Sequence, residues 1–216
     1  PVAPPRRALT WGRVLLMATS LAGTHLIWPT LTPYRLAVTL IGLAYNYRII
    51  PWPGGATRFK EMYFFKNFGS SVLFVLTCFA YPLAVSGGPV AMSLGAVVVL
   101  AAFFVPFELT YEILYDLRDL EGDRAEGIPT YPVVHGPEVA RRIIDLLLAS
   151  SALVLIGGVA LSAIGLREAL MLVAPASQLA FYRPRLARGL TARDCIVLTH
   201  LGTAQLAFYL AGTAAW

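Results

Sequence analysis

Charge is what this sequence has least of. Asp, Glu, Lys and Arg make up 13% of its 216 residues, while hydrophobic residues make up 57%. A water-soluble domain carries about 25% charged residues. The shortage therefore excludes an ordinary soluble fold and leaves a polytopic helical membrane protein, whose backbone must satisfy its hydrogen bonds internally in lipid. Cysteine is nearly absent. Cys78 and Cys195 lie in or beside apolar runs with no metal-type spacing, which favours two small membrane-embedded apolar side chains and leaves the redox compartment open. No internal repeat or low-complexity segment is present. The net charge of +5 does not point to nucleic acid, because the basic residues sit in loops between apolar segments. The sequence begins at Pro1 without a signal-peptide pattern, as a processed or partial chain would.

Seven apolar segments carry the chain, at roughly 10–29, 33–48, 67–86, 89–112, 143–164, 166–181 and 194–215. Most approach the ~20 residues needed to span a bilayer; the second and sixth are short enough to require tilt or a thin bilayer. If the segments alternate in direction, one side of the membrane receives the basic, proline-rich stretch 1–8 and the loops 48–66, 113–142 and 182–193. Together with Arg13 at the head of the first segment, that side holds fifteen of the seventeen Lys and Arg residues, and only Arg35 and Arg167 fall on the other. The asymmetry predicts that these loops face the cytoplasm. Trp216 then ends the chain on the far side, as an interface anchor. His25 and His200 lie singly within apolar segments and read as hydrogen-bonded core residues. His135 reads equally well as a surface residue or a substrate contact.

Against this background the acids are unevenly placed. Glu108, Glu112, Asp116, Asp119, Glu121, Asp123 and Glu126 crowd one stretch, whereas Glu61, Glu138, Asp145, Glu168 and Asp194 are isolated. Read as one helix at about 100° per residue, 108–123 brings Glu108, Glu112, Asp116, Asp119 and Asp123 into an arc of about 80°. Like charges at these spacings repel by a few tenths of a kcal/mol per pair, so the ladder calls for cations. Asp116, Asp119 and Asp123 suffice for one Mg²⁺, which keeps several waters and takes one or two carboxylates. Glu108 and Glu112 point deeper, where an unpaired charge costs ~2.5–3.5 kcal/mol or more, and so should face a polar cavity or a basic partner. The basic loop 45–67 lies on the same side with Tyr45, Tyr47, Arg48, Arg58, Lys60 and Lys66. Carboxylates, Mg²⁺ and guanidinium or ammonium groups at one membrane face make a site for a phosphate-bearing polyanion. Plain positive-inside anchoring accounts for part of that loop, and Lys60 and Lys66 also suit anionic headgroups.

The run Asp116-Leu-Arg-Asp119-Leu-Glu-Gly-Asp123-Arg-Ala-Glu-Gly-Ile-Pro-Thr-Tyr-Pro-Val resembles the second aspartate-rich motif of the UbiA-type intramembrane prenyltransferases. The stretch from Tyr45-Asn46-Tyr47 through Arg58-Phe59-Lys60 to Lys66-Asn67 is similar to that family's tyrosine- and lysine-bearing segment. The resemblance implies an all-α transmembrane bundle of about seven helices around a central cavity, acting as a single domain over 1–216. It implies an Mg²⁺-dependent enzyme that transfers a polyprenyl group from a prenyl diphosphate to an aromatic or otherwise lipophilic acceptor. Asp116, Asp119 and Asp123 are then the catalytic, metal-binding carboxylates. Arg58, Lys60, Lys66 and Arg124 contact the diphosphate, Asn67 and Glu112 complete the substrate site, and Tyr45 lines the cavity with its π face toward the allylic cation. Family members have nine helices and a first motif, N-D-x-x-D-x-x-x-D, that is missing here, so the resemblance matches the seven segments to helices three to nine. A Tyr-x-x-x-Lys pattern would put a lysine at position 49, which is Ile49, so its role passes to Arg48 or Lys60. The missing first motif also fits a catalytically inactive homologue that binds lipid or assists assembly. A CDP-alcohol phosphotransferase fits less well, because Leu120 follows Asp119 where its motif requires a different pattern and the second half of that motif is absent.

Overall fold

The computed structural model describes residues 7–86 and 92–214, so Trp216 and most of the 1–8 stretch lie outside the described residues. Seven long helical stretches correspond to the seven apolar segments. They are α1 (Arg7–Ile27), α2 (Thr32–Asn46), a continuous run of α3 (Tyr63–Val75), a π-helical turn (Leu76–Ala80) and α4 (Tyr81–Ser86), then α5 (Leu94–Arg118). After two short helices, α6 (Leu120–Glu126) and α7 (Tyr131–His135), come α8 (Pro137–Ala160), short α9 (Leu166–Ala169), α10 (Val173–Leu186) and α11 (Ala192–Ala214). Among the described residues, three stretches are both long and apolar enough to cross a membrane: Tyr63–Ser86, Leu94–Arg118 and Pro137–Ala160. The other long helices fall short of seven clear spans. The bundle is all-α apart from a small hairpin, and its outer faces carry Leu16, Leu26, Leu153 and Phe208, the last 84% exposed, as a lipid-facing surface requires.

The core is built on α5 packed against α8. Phe103, Ile113 and Leu114 of α5 meet Ala140, Ile144, Leu148 and Leu155 of α8. Helices in lipid gain little from hydrophobic burial and rely on close packing by small residues. Gly158 supplies that closeness, since a Cβ there would sit 2.6 Å from Val99 Cγ1 and 3.0 Å from Ile164 Cγ1. Alanine at 158 would gain about 1 kcal/mol of helix propensity, while overpacking against a rotamer-locked valine costs about 1–3 kcal/mol. Gly158→Ala is therefore expected to lower the thermal midpoint. Gly157→Ala, whose Cβ meets nothing within 4 Å, should leave the midpoint unchanged or raise it. Melting both variants in one detergent checks the pair.

Three local expectations need correction. The stretch 45–67 is not all loop: between the end of α2 and the start of α3, β1 (Ile50–Trp52) pairs antiparallel with β2 (Gly55–Thr57), closed by Gly54 and Gly55 at φ of 103° and 129°, which only glycine adopts freely. A 3₁₀ turn (Phe59–Glu61) follows. His25 and His200 are not core residues, since both are exposed; His25 Nδ1 bonds Thr32 Oγ1 at 2.7 Å. The acidic stretch is not one helix. α5 stops at Arg118, and Asp119 (φ −94°, ψ 9°) is the joint to α6.

Candidate functional site

That joint splits the carboxylate ladder. Glu108, Glu112 and Asp116 stay on α5, Asp123 moves to α6, and Asp119 turns to its neighbour Arg118, whose Nε donates to Asp119 Oδ1 at 2.7 Å. The Arg118 guanidinium holds the Asp119 carboxyl below its usual range. Among the described residues no three His, Cys, Asp or Glu side chains stand close enough to form a metal-binding group, so Asp116, Asp119 and Asp123 are not gathered into a three-carboxylate cage.

Lys66, at the start of α3, forms the centre of the site. Its ammonium donates to Asp116 Oδ1 at 2.8 Å and stands 3.9 Å from Glu112 Oε2. The Lys66–Asp116 pair is buried, with side chains only 9% and 7% exposed. Glu112 thus has the basic partner that its depth demanded. A buried pair of this kind owes its survival to geometry, because each ion alone would cost several kcal/mol to desolvate. One lysine does not satisfy the cluster: Asp116 Oδ2 and Asp123 Oδ2 are both buried without a hydrogen-bond partner. Burial pushes the Asp123 carboxyl above its usual range, and Lys66 is close enough to pull it partly back. Two unpartnered carboxylate oxygens beside one ammonium are the donor set a divalent cation completes, and Mg²⁺ needs no more than one or two protein carboxylates.

Lys66 and Glu112 also line a cavity of about 440 Å³ between α2, α3 and α5. Tyr45 and Asn46 stand on its α2 wall, and Phe59, Phe64, Phe65 and Phe68 give it an aromatic lining. Ile41 and Leu73 make its other surfaces apolar. An apolar pocket with a few converging polar groups is the usual form of a ligand site. The second half of the motif has its own local order. α6 ends at Gly127 in the left-handed conformation (φ 67°), and the Ile128 amide turns back to Asp123 O at 2.9 Å.

The remaining expected contacts are spread around this end of the bundle. Lys60 lies 3.6 Å from Glu126 Oε2 and ties the 3₁₀ turn to α6. Arg58 is turned to its own loop, where its Nε donates to Glu61 Oε1 at 3.0 Å; Arg48 donates to the same carboxylate at 2.8 Å. These bonds, Arg48 first, hold the Glu61 carboxyl down at about 2. Arg124 is exposed, 4.0 Å from Glu121. His135 accepts or donates at 2.7 Å to the Tyr63 hydroxyl. Asn67 acts as a clamp: its Nδ2 donates to Tyr63 O at 2.6 Å and Pro129 O at 3.1 Å, and its Oδ1 accepts from the Tyr131 amide at 3.2 Å. Its amide is fully occupied by backbone, which no sequence spacing revealed. Asn67→Ala leaves the Pro129 carbonyl and the Tyr131 amide without this partner at a cost of roughly 1–3 kcal/mol. Hydrogen exchange at the Tyr131 amide is expected to accelerate, while exchange along α8 stays as it was.

Comparison with known proteins adds three findings. A model of the UbiA prenyltransferase family matches residues 2–209. A digeranylgeranylglyceryl phosphate synthase of Natronomonas pharaonis is 35% identical over 135 residues, 61% of this chain and 42% of that protein. One of Thermococcus sibiricus is 29% identical over 142 residues, covering 64% of this chain and 46% of its own length. The chain therefore spans less than half the length of these relatives. No solved structure matches it.

Proposed function

This chain belongs to the UbiA prenyltransferase family, and from that premise we propose that it transfers a prenyl group from a prenyl diphosphate to a lipophilic acceptor, with Mg²⁺ at the carboxylate cluster. The observation that carries this reading is the pair of buried, unpartnered oxygens, Asp116 Oδ2 and Asp123 Oδ2, beside Lys66 and its aromatic-lined cavity. Asp116 and Asp123 would hold the ion. Asp119 contributes after releasing Arg118. When bound, Mg²⁺ supplies positive charge to the diphosphate oxygens.

The chain's own groups carry the rest. The bond between the allylic carbon and the diphosphate oxygen breaks with its electron pair going to the diphosphate. Lys66 answers that growing negative charge from a fixed position, as preorganised electrostatic stabilisation requires. Lys60, Arg58 and Arg124 already stand around the same end, each against an acidic side chain that a diphosphate would displace. The prenyl chain lies along Phe64, Phe68 and Leu73, and these apolar walls keep water from the cation. Tyr45 offers its ring face to the positive charge. The acceptor atom then bonds the allylic carbon and loses a proton. Fourteen of the seventeen Lys and Arg residues belong to the segments assigned to this end, which supports a cytoplasmic orientation for it.

The relatives' names favour a glyceryl phosphate lipid over an aromatic ring as the acceptor. The test supplies geranylgeranyl diphosphate and Mg²⁺ to the protein in lipid nanodiscs, in parallel with a prenylated glyceryl phosphate and with an aromatic acid. A prenylated product from either acceptor, lost on chelation of Mg²⁺, is the expected outcome. Binding of the diphosphate without any product would favour the lipid-binding homologue instead.

A further inference from the structure

A second cavity, about 470 Å³, lies on the other side of α5, between α5, α10 and α11. Its walls are Phe103, Phe104, Phe107, Met171 and Leu206, and its polar rim is Arg167 and Tyr209. It sits away from the carboxylate end. Tyr115, near the foot of α5, bonds Thr199 in the first half of α11, whereas this cavity uses the following turns of α11, from Gly202 to Tyr209. None of its lining residues takes part in the site described above.

Arg167 is the unusual member. It is one of two basic residues assigned by the charge pattern to that end, so positive-inside anchoring does not account for it. Among the described residues it pairs with no carboxylate. The adjacent acid, Glu168, is bonded to other partners at the same rim: its Oε2 accepts from the Gly165 amide at 2.9 Å and its Oε1 from the Tyr209 hydroxyl at 3.4 Å. The guanidinium instead rests over the Tyr209 ring, 5.4 Å from its centroid, which fixes it at the rim. An exposed guanidinium held over an apolar groove at a helix-bundle end complements an amphiphile with a phosphate head and a hydrocarbon tail.

We propose that this cavity binds one anionic phospholipid of the surrounding leaflet, with its phosphate on Arg167 and one chain between Phe103, Phe107 and Leu206. The site is separate from the prenyl-transfer cleft, and its occupancy does not depend on catalysis.

The test is native mass spectrometry of the delipidated full chain titrated with phosphatidylglycerol, and with a diacylglycerol of the same chains. One phosphatidylglycerol should be retained in preference to diacylglycerol. Arg167→Gln should weaken it about tenfold, the scale of one lost charge-assisted hydrogen bond, and Arg167→Lys should recover part of the loss. Leu206→Trp should displace the lipid by filling the groove while leaving Arg167 in place. Arg35→Gln, at the other basic residue of that end, should change nothing. Equal retention of both lipids, or wild-type retention by both Arg167→Gln and Leu206→Trp, would overturn the proposal. So would a dimer that forms in place of the lipid adduct and is lost in the same variants. Both substitutions are at exposed positions, and a melting curve for each confirms that the bundle is intact.

Discussion

Replacing Asp123 with alanine is expected to lower prenyl transfer by about 10²–10³-fold, the scale of removing one preorganised group that meets developing charge. It should leave the fold in place. Asp123 sits on seven-residue α6, forms no ion pair among the described residues, and has a buried oxygen with no partner. Deleting a half-buried carboxylate with one unsatisfied buried oxygen relieves a desolvation cost, so the melting point should hold or rise. Loss of activity with retained stability is the signature of a group held for a ligand, and a kcat measurement beside a melting curve reads both. Asp116→Asn should lose activity to a similar degree but, unlike Asp123→Ala, it should also lose stability, because Asp116 Oδ1 receives the Lys66 ammonium.

Lys66→Met carries the largest stability effect. It leaves Asp116 and Glu112 without their shared cation in a buried setting, and breaking one side of a buried pair costs about 3–5 kcal/mol. The apolar replacement removes any option of a new hydrogen bond. The double variant Lys66→Met/Asp116→Asn should recover much of that loss, since replacing both partners of a buried pair is often near neutral. A double-mutant cycle on unfolding therefore gives a coupling of several kcal/mol if the pair stands as described. A coupling near zero would mean that Lys66 and Asp116 do not meet. Activity should be lost in both Lys66 variants, because the stability regained by adding Asp116→Asn does not return the charge that faces the diphosphate.

The long helices were legible from the length and apolarity of the segments between Arg7 and Ala214, because backbone in lipid has few alternatives to helix. The need of the 108–123 stretch for positive charge was legible, since five carboxylates at helical spacing repel one another, and Lys66 answers it for Glu112 and Asp116. The break at Asp119 was not. Nothing in Asp116-Leu-Arg-Asp119-Leu stops a helix locally, and the joint coincides with an ion pair between adjacent side chains, Arg118 and Asp119. The pairing of Lys66 with Asp116 spans fifty positions and comes from the packing of α3 on α5, which periodicity does not encode. The need for it was visible all the same, in the depth at which Glu112 had to find a basic partner. Asn67 illustrates the converse: a polar side chain beside the site holds the turn at Pro129 and Tyr131 in place. The hairpin at 50–57 carries a local signal, Pro53-Gly54-Gly55 between two short runs, which is turn chemistry.

The central claim is that prenyl diphosphate occupies the cleft of Tyr45, Lys66 and Glu112. The most direct measurement is photolabelling with a prenyl diphosphate analogue that carries a diazirine on its chain, with Mg²⁺ present, followed by peptide mapping. Label should fall on Phe64 to Leu73 and on the Ile41–Tyr45 face of α2, and should be competed by unlabelled geranylgeranyl diphosphate. Competed label on Arg167 to Ala174 and Gly202 to Tyr209, with none on α2 and α3, would contradict the account.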